Sequence, residues 1–384
     1  MSGPATGEPE HLAAFEALAA DKLAPLAEDW ERAGAVSREI VPLLAGAGLL
    51  GALVPTASGG TGWSHRDYGE ANRVLGALSP SAQSLLTVHG MVTQALARWG
   101  SAPLRALLPR FAGGHAVAAF ALSEADAGSD VRQLASTAEQ VDGGWRLTGV
   151  KRWISFGQLA DAFLVFARTA AGDAAFLVRR DDRGVTVSPE ARTAGLRAAR
   201  LAVLELDGCT VPGERLVGRP GFALTQIGGR ALTYGRLWVA FGAVGLAESC
   251  HRATLERITT QSRFGQPLKD FQLVRGLVSD TELAVRSARL LARQAATASD
   301  TASQWLMDEV LAAKLAASRA ATLAAGVCAQ IHGAQGLVED SPVQRRLADA
   351  RVMEIIEGNT QLVQDLLADQ TIARWRATSR GGVQ

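Results

Sequence analysis

The chain is short of lysine. Of its 39 basic residues only four are lysines (Lys22, Lys151, Lys269 and Lys314), and the other 35 are arginine. This excess of arginine and alanine reads as the imprint of a GC-rich coding sequence rather than as a binding surface. An excess of either charge is also missing: the formal net charge is +1 over 384 residues. Nucleic-acid binders carry a basic stripe or patch, and nothing in this balance marks one. Cysteine is scarce. Cys209, Cys250 and Cys328 are odd in number and far apart, which argues against a disulfide framework or a zinc site and for a reducing compartment. No uninterrupted apolar run reaches the length a bilayer requires. The opening stretch MSGPATGEPEHLAAF has neither the basic n-region nor the apolar h-region of a signal peptide. The expectation is a cytoplasmic protein with no nucleic-acid and no membrane partner. There is no internal repeat and no long low-complexity tract.

Apolar residues are plentiful, at 48%. That is ample for a large core, and the length suggests two or three domains. The texture changes twice. Residues 1–115 read as helical, as in HLAAFEALAADKLAPLAEDWERA, with a Gly- and Ser-rich loop at PTASGGTG. Residues 116–219 break into short runs (AVAAFALS, WRLTGVKRWIS, DAFLVFAR, AAFLVRR, GVTVS, RLAVLELDGCTV) between Gly- and Asp-rich turns, the pattern of an antiparallel β domain. Residues 220–384 return to longer helices. The fold class expected is mostly α with a central β domain, the last part forming a helical bundle.

Five stretches carry more than packing. In SPVQRRLADARVMEI the apolar residues Val343, Leu347, Ala350 and Ile355 recur at helical spacing, yet Glu357 follows two isoleucines and the pattern breaks at Gly358-Asn359. A carboxylate in apolar company has a raised pKa, so the placement invites a chemical reason. FALSEADAGSDV, 120–131, ends a strand in small and acidic residues. Such a loop can hold a phosphate or a polar ring edge, although taken alone it is an ordinary turn. In KRWISFG, 151–157, Trp153 and Ser155 alternate with Ile154 and so share a strand face. A flat ring beside a hydroxyl suits a planar heterocycle, while by itself Trp153 reads as core. SRFGQPLKDFQLV, 262–274, is at least a helix–helix connection. In QIHGAQGLVED, 330–340, glycines end a helix, and His332 by itself is a structural residue.

In this order and spacing, the five stretches resemble the acyl-CoA dehydrogenase family over nearly the whole chain. The resemblance implies an N-terminal helical domain, a middle antiparallel β domain and a C-terminal four-helix bundle. It implies FAD as cofactor and α,β-dehydrogenation of an acyl thioester, carried on CoA or on an acyl carrier protein, to the 2,3-enoyl thioester. Glu357 is then the base, and hydride passes from the β-carbon to flavin N5. The thioester oxygen is met by the Glu357 backbone N–H and a flavin hydroxyl, with the break at Gly358 presenting that N–H. Ile355 and Ile356 would help dry the pocket if they face it. Phe120, Leu122, Ser123, Gly128 and Ser129 follow the flavin, Trp153 packs on its ring with Ile154 beside it, and Ser155 reaches N5. Ser129, Thr233, Arg236 and Gly358 fall at substrate positions, with Arg236 buried close to the base. Gln261, Arg263, Phe264, Phe271, Gln272, Gln330, Gly333 and Ala334 match positions that hold the pyrophosphate and adenosine across a subunit boundary, so a homodimer or homotetramer is implied. Asn359, Thr360 and Gln361 match the last flavin contacts. An electron-transfer flavoprotein or oxygen would take the electrons.

The chain departs from the family pattern at several positions. Gln261 stands where an arginine is usual, with Arg263 two residues on. Ala348-Asp349 replaces an Arg-Asp pair, and Phe156 replaces a small polar residue beside the flavin. No proline follows Glu124. Gly235 occupies the position at which a second branch of the family carries its base, leaving Glu357 as the candidate. EGNT in place of EGT is similar to relatives in polyketide biosynthesis that act on carrier-bound acyl groups. Two other readings stay open at this level: a flavin monooxygenase or oxidase on the same fold, and a non-catalytic scaffold. The presence of Glu357 argues against the first, and the intact WIS and EGNTQ stretches argue against the second.

Overall fold

The computed structural model describes residues 9–128 and 130–381. The N-terminal part is helical. It comprises α1 (Glu10–Leu18), α2 (Ala24–Ala33), α3 (Ile40–Gly46), α4 (His65–Leu78), α5 (Pro80–Trp99), α6 (Ala102–Arg105) and α7 (Leu108–Ala112). Ser64 and Ser79 cap α4 and α5 through their side chains, Ser79 directly before Pro80 at the first helical position. A π-helical turn, Ala19–Leu23, joins α1 to α2.

The middle part is a sheet of β1 (Ala118–Ala121), β2 (Thr137–Val141), β3 (Gly144–Ile154), β4 (Ala162–Thr169), β5 (Gly172–Arg179), β6 (Val185–Pro189), β7 (Ala202–Pro212) and β8 (Leu216–Val217). The strand order is β6-β7-β3-β2-β4-β5-β8, with β1 pairing β4. The sheet is mixed rather than purely antiparallel. β1 runs parallel to β4 and β2 touches β4 in parallel, while the other pairs are antiparallel. The sequence did not show β2, because only Ala138 of TAEQV is buried and its apolar signal is one residue long.

The C-terminal part holds α8 (Gly229–Thr260), a two-stranded hairpin of β9 (Ser262–Arg263) and β10 (Gln266–Pro267), then α9 (Gln272–Asp300), α10 (Leu306–His332), α11 (Pro342–Met353) and α12 (Thr360–Gly381). A second π-helical turn, Ala223–Gly228, leads into α8. From Ala231 to Ala247 nearly every residue of α8 is buried, because it packs on α4, α5, α9, α10 and α11 at once. A helix surrounded in this way is apolar all round. It lies so close to α4 that a Cβ on Gly245 would sit 2.0 Å from the Arg73 carbonyl. A second helix is apolar for the same reason. The segment Leu306–Leu337 is long and apolar enough by composition to cross a bilayer, at mean hydropathy 1.3, a feature the run-length reading passed over. Its window is 67% buried among the other helices, as the core helix of a bundle would be.

Candidate active site

The helical pattern that the sequence carries to Ile355 stops earlier. α11 ends at Met353 and a turn runs from Glu354 to Glu357. Glu357 has φ 56° and Gly358 φ 99°, so two successive residues occupy the left-handed region. Glycine accepts that region freely, whereas an L-residue there is strained and held by its surroundings. The turn points the Glu357 side chain at α8. A Cβ added to Gly235 would lie 2.7 Å from Glu357 Oε2 and 3.0 Å from Met91 Sδ. Only glycine at 235 leaves room for the carboxyl. Residue 357 is half-buried as a whole, but Oε2 is fully shielded and accepts no hydrogen bond. Burial pushes the carboxyl up to about 7, against the opposing charges of Arg236 and Lys314. Arg236, itself buried, donates from Nε to the main-chain carbonyl of Glu357 at 2.8 Å. It therefore holds the backbone of the acid rather than its carboxylate. No hydrogen bond to the Glu357 N–H is formed among the described residues.

The drying walls differ from those the sequence suggested. Ile355 is 55% exposed and does not line the carboxyl's surroundings, because the early end of α11 turns it outward. Ile356 packs against the core. Met91 on α5 and Gly235 on α8 do the enclosing. A cavity of about 270 Å³ between α5 and α8 is lined by Met91, Gln94, Ala95, Arg98, Arg230 and Tyr234, among others. Met91 is the shared wall between this cavity and the carboxyl. Thr233 is different: its hydroxyl donates to the Gly229 carbonyl at 2.8 Å within α8 and the residue is buried, so its polar group is not presented to substrate.

The second half of the site is the end of β1 and the end of β3. Trp153 does not share a strand face with Ser155. A register shift between Lys151 and Ile154 and a φ of 60° at Trp153 turn the indole out, 48% exposed, while Ile154 points into the sheet core. The core reading of Trp153 is overturned. The Arg152 guanidinium stands 5.3 Å from the indole centroid and is itself paired with Glu190. Phe156 is fully buried in the main core with φ 55°, so the bulky ring that replaces a small polar residue is directed away from the open side. Ser155 and Ser123 are partly exposed, Leu122 is buried, and Phe120 packs on Phe166. Gly128 has open space around it. Ser129 lies outside the described residues.

A buried ion pair beneath this loop escaped the sequence reading. Lys151, fully buried, lies 2.6 Å from Glu124 and reaches the Leu122 carbonyl at 3.4 Å. Burial alone would raise the Glu124 carboxyl, but hydrogen bonds from Lys151 and Ser136 hold it below its ordinary range. Without a proline after Glu124, the loop is fixed by these bonds and by Glu124 accepting from Ala135 and Ser136 N–H. Lys314 is the other residue missed. A lone lysine on the apolar face of an Ala-rich helix was the available signal. Asn359 caps α12, accepting from the Leu362 N–H at 2.9 Å, which gives the additional residue of EGNT a local role. Thr360 is half-buried beside it and Gln361 is exposed.

Gln261, Arg263, Phe264, Phe271, Gln272, Gln330, Gly333 and Ala334 are not brought to this place. Gln261 follows Gly235 by 26 residues along α8, roughly 39 Å at helical rise. Gln330 is 16 residues beyond Lys314 on α10, roughly 24 Å. All eight lie on the surface or only partly buried. Phe264 is 97% exposed, and the Arg263 side chain bonds the Ser262 carbonyl and has no acidic partner among the described residues. His332 bonds the Cys328 carbonyl at 2.8 Å, a structural role. Flavin fits what is present: an outward indole with an open side, hydroxyls at Ser123 and Ser155, and, on a separate surface, an unpaired arginine suited to a pyrophosphate.

Comparison with known proteins identifies the family and the fold. Residues 8–115, 119–209 and 223–372 match the N-terminal, middle and C-terminal domain models of acyl-CoA dehydrogenase. The chain is 31% identical to the mitochondrial short-chain specific acyl-CoA dehydrogenase of Mus musculus, over 94% of this chain and 89% of that one. A glutaryl-CoA dehydrogenase from Mycobacterium smegmatis in complex with FADH2 superposes at a TM-score of 0.90 and 25% identity, covering 96% and 95% of the two chains. FkbI, described for biosynthesis of the methoxymalonyl extender unit of the Fk520 polyketide, superposes at 0.85 and 31% identity, covering 95% and 99%. The chain belongs to the acyl-CoA dehydrogenase family of flavin-dependent oxidoreductases.

Proposed function

We propose that Glu357 is the base of an FAD-dependent α,β-dehydrogenation of a short acyl thioester. The observation that carries this reading is the carboxyl itself. Its Oε2 is shielded from water and unpartnered, the group is raised to about 7, and it lies across Met91 from a cavity of about 270 Å³, just below the usual span of ligand pockets. A base poised near neutrality and able to reach an α-proton is what the reaction requires. FAD, when bound, supplies the acceptor for the β-hydride. The chain's own residues do the rest. Glu357 takes the α-proton. Arg236 fixes its main chain, and the free Glu357 N–H is available to the thioester oxygen as enolate charge develops. Trp153, Ser123 and Ser155 would hold the flavin ring.

The carrier is CoA or an acyl carrier protein, the second supported by the likeness to FkbI. The protein works as at least a homodimer in the cytoplasm and passes electrons to an electron-transfer flavoprotein. The distance between the Glu357 end of α8 and the Gln261–Phe264 and Gln330–Ala334 segments supports a second copy. So do the exposed Phe264, Leu273, Leu283, Leu290 and Leu337, all 68% exposed or more. The test is anaerobic bleaching of the yellow holoenzyme with a panel of acyl-CoA chain lengths and matched acyl-carrier-protein thioesters. Bleaching by short acyl thioesters supports the reading. Bleaching by none, or flavin turnover only with oxygen and no enoyl product, contradicts it.

A further inference from the structure

Lys314 is one of two fully buried lysines in a chain that otherwise relies on arginine. It projects from α10 under the catalytic turn. Its Nζ donates to the Gly358 carbonyl at 2.7 Å and to the Glu354 carbonyl at 3.4 Å. Among the described residues the lysines in ion pairs are Lys22 and Lys151, and Lys314 is in none. A buried ammonium whose bonds all go to main-chain carbonyls is a holder of backbone. The carbonyls it holds flank Glu357, and Arg236 holds the carbonyl of Glu357 itself. Two cations from two helices thus draw three carbonyls of one turn inward. That leaves Glu357 and Gly358 in left-handed geometry, with the Glu357 N–H unbonded.

We propose that Lys314 is the positioning residue of the catalytic loop, gathering the Glu354 and Gly358 carbonyls so that the Glu357 carboxyl is pressed toward Gly235. The proposal rests on Glu357 being the base. It has an electrostatic consequence. The charged groups facing this site are Arg236 from α8, Lys314 from α10, and Glu354 and Glu357 from the turn. Lys314 favours the ionised form of Glu357. Removing its charge makes the Glu357 proton harder to lose, so the acid limb of the rate moves to higher pH.

The experiment compares wild-type, Lys314→Met, Lys314→Gln and Glu357→Gln holoenzymes. It measures anaerobic flavin reduction by butyryl-CoA across pH, together with hydrogen–deuterium exchange of residues 354–360. Lys314→Met removes both donors and charge. Its loop amides should exchange about tenfold faster, and the acid limb should rise by about one pH unit, a tenfold change in ionised fraction at fixed pH. Lys314→Gln keeps a donor without charge, so exchange should stay close to wild type while the limb shifts as in the methionine variant. Wild-type exchange and an unmoved limb in both variants would overturn the proposal. Failure of both to give folded holoenzyme would overturn it too, by making Lys314 a folding determinant. If Glu357→Gln still reduces its flavin, the base assignment fails. If that variant is inactive and the Lys314 variants behave as wild type, only this proposal fails.

Discussion

Gly235→Ala should leave the protein folded and disable it. A Cβ at 235 would stand 2.7 Å from Glu357 Oε2, 2.8 Å from its Cδ and 3.0 Å from Met91 Sδ, where ordinary contact begins at 3.4 Å. The carboxyl must therefore withdraw by about 0.6–0.7 Å relative to α8 to restore contact. Arg236 pins the main chain of Glu357, so the movement falls on the side chain that must meet the α-carbon. Misplacement of that order costs about a hundredfold in rate. The stability terms are smaller and opposed. Alanine inside a helix gains up to about 1 kcal/mol over glycine, and overpacking costs about 1–3 kcal/mol, softened because the crowded atoms end flexible side chains. The net loss should stay under about 2 kcal/mol. The assay is stopped-flow flavin reduction under anaerobic conditions at saturating substrate, with flavin content and thermal midpoint measured on the same sample. A variant that retains its flavin and reduces it within about twofold of wild type would refute the placement of the reacting carboxyl against α8.

Trp153→Ala should weaken FAD retention, since an exposed aromatic face is removed. Equal FAD dissociation constants for variant and wild type by fluorescence would contradict that. Lys151→Met should cost about 3–5 kcal/mol in urea unfolding by stranding Glu124, and Lys151→Met with Glu124→Gln should recover much of it; equal losses in the single and double variants would mean the pair is not coupled. Asp349 is buried and its carboxyl is pushed up to about 7, by burial first and by Glu31 second. A folded pKa raised above the unfolded one gives stability that is complete below about pH 4 and lost as pH rises through 7. Asp349→Asn keeps the acceptor for the Leu196 N–H and cannot charge. Its urea midpoint should therefore fall less than that of wild type between pH 5.5 and 8, and parallel curves would argue against a buried neutral Asp349.

The residues legible in the sequence were those that sit in short ordered motifs: Glu357 with Gly358, Arg236 after Gly235, and Trp153 after Lys151. Their local surroundings were less legible. The strand alternation that placed Trp153 with Ser155 fails because a bulge re-aims the indole, and a bulge leaves no mark in a two-residue period. The walls of the pocket come from Met91 and Gly235, which meet Glu357 only through packing of distant segments. Lys314 and Lys151 were missed for the same reason: each bonds a loop more than 25 residues away, and neither lies in a pattern that betrays its partner. β2 was lost because one buried alanine cannot signal a strand. The three-part architecture was legible because long helical periods and short Gly-punctuated runs alternate over a hundred residues at a time.

The central claim is that Glu357 removes the α-proton, and single-turnover flavin reduction by Glu357→Gln tests it most directly. Glutamine keeps the shape of the side chain and removes the base. The variant should copurify with FAD, bind substrate and reduce its flavin more than about ten-thousandfold more slowly, beyond the usual range for a general base, because no other described carboxyl lies against Gly235 and Met91. The wild type should show an acid limb near pH 7 that the variant lacks. Reduction by the variant at a rate close to wild type, with that limb intact, would contradict the account.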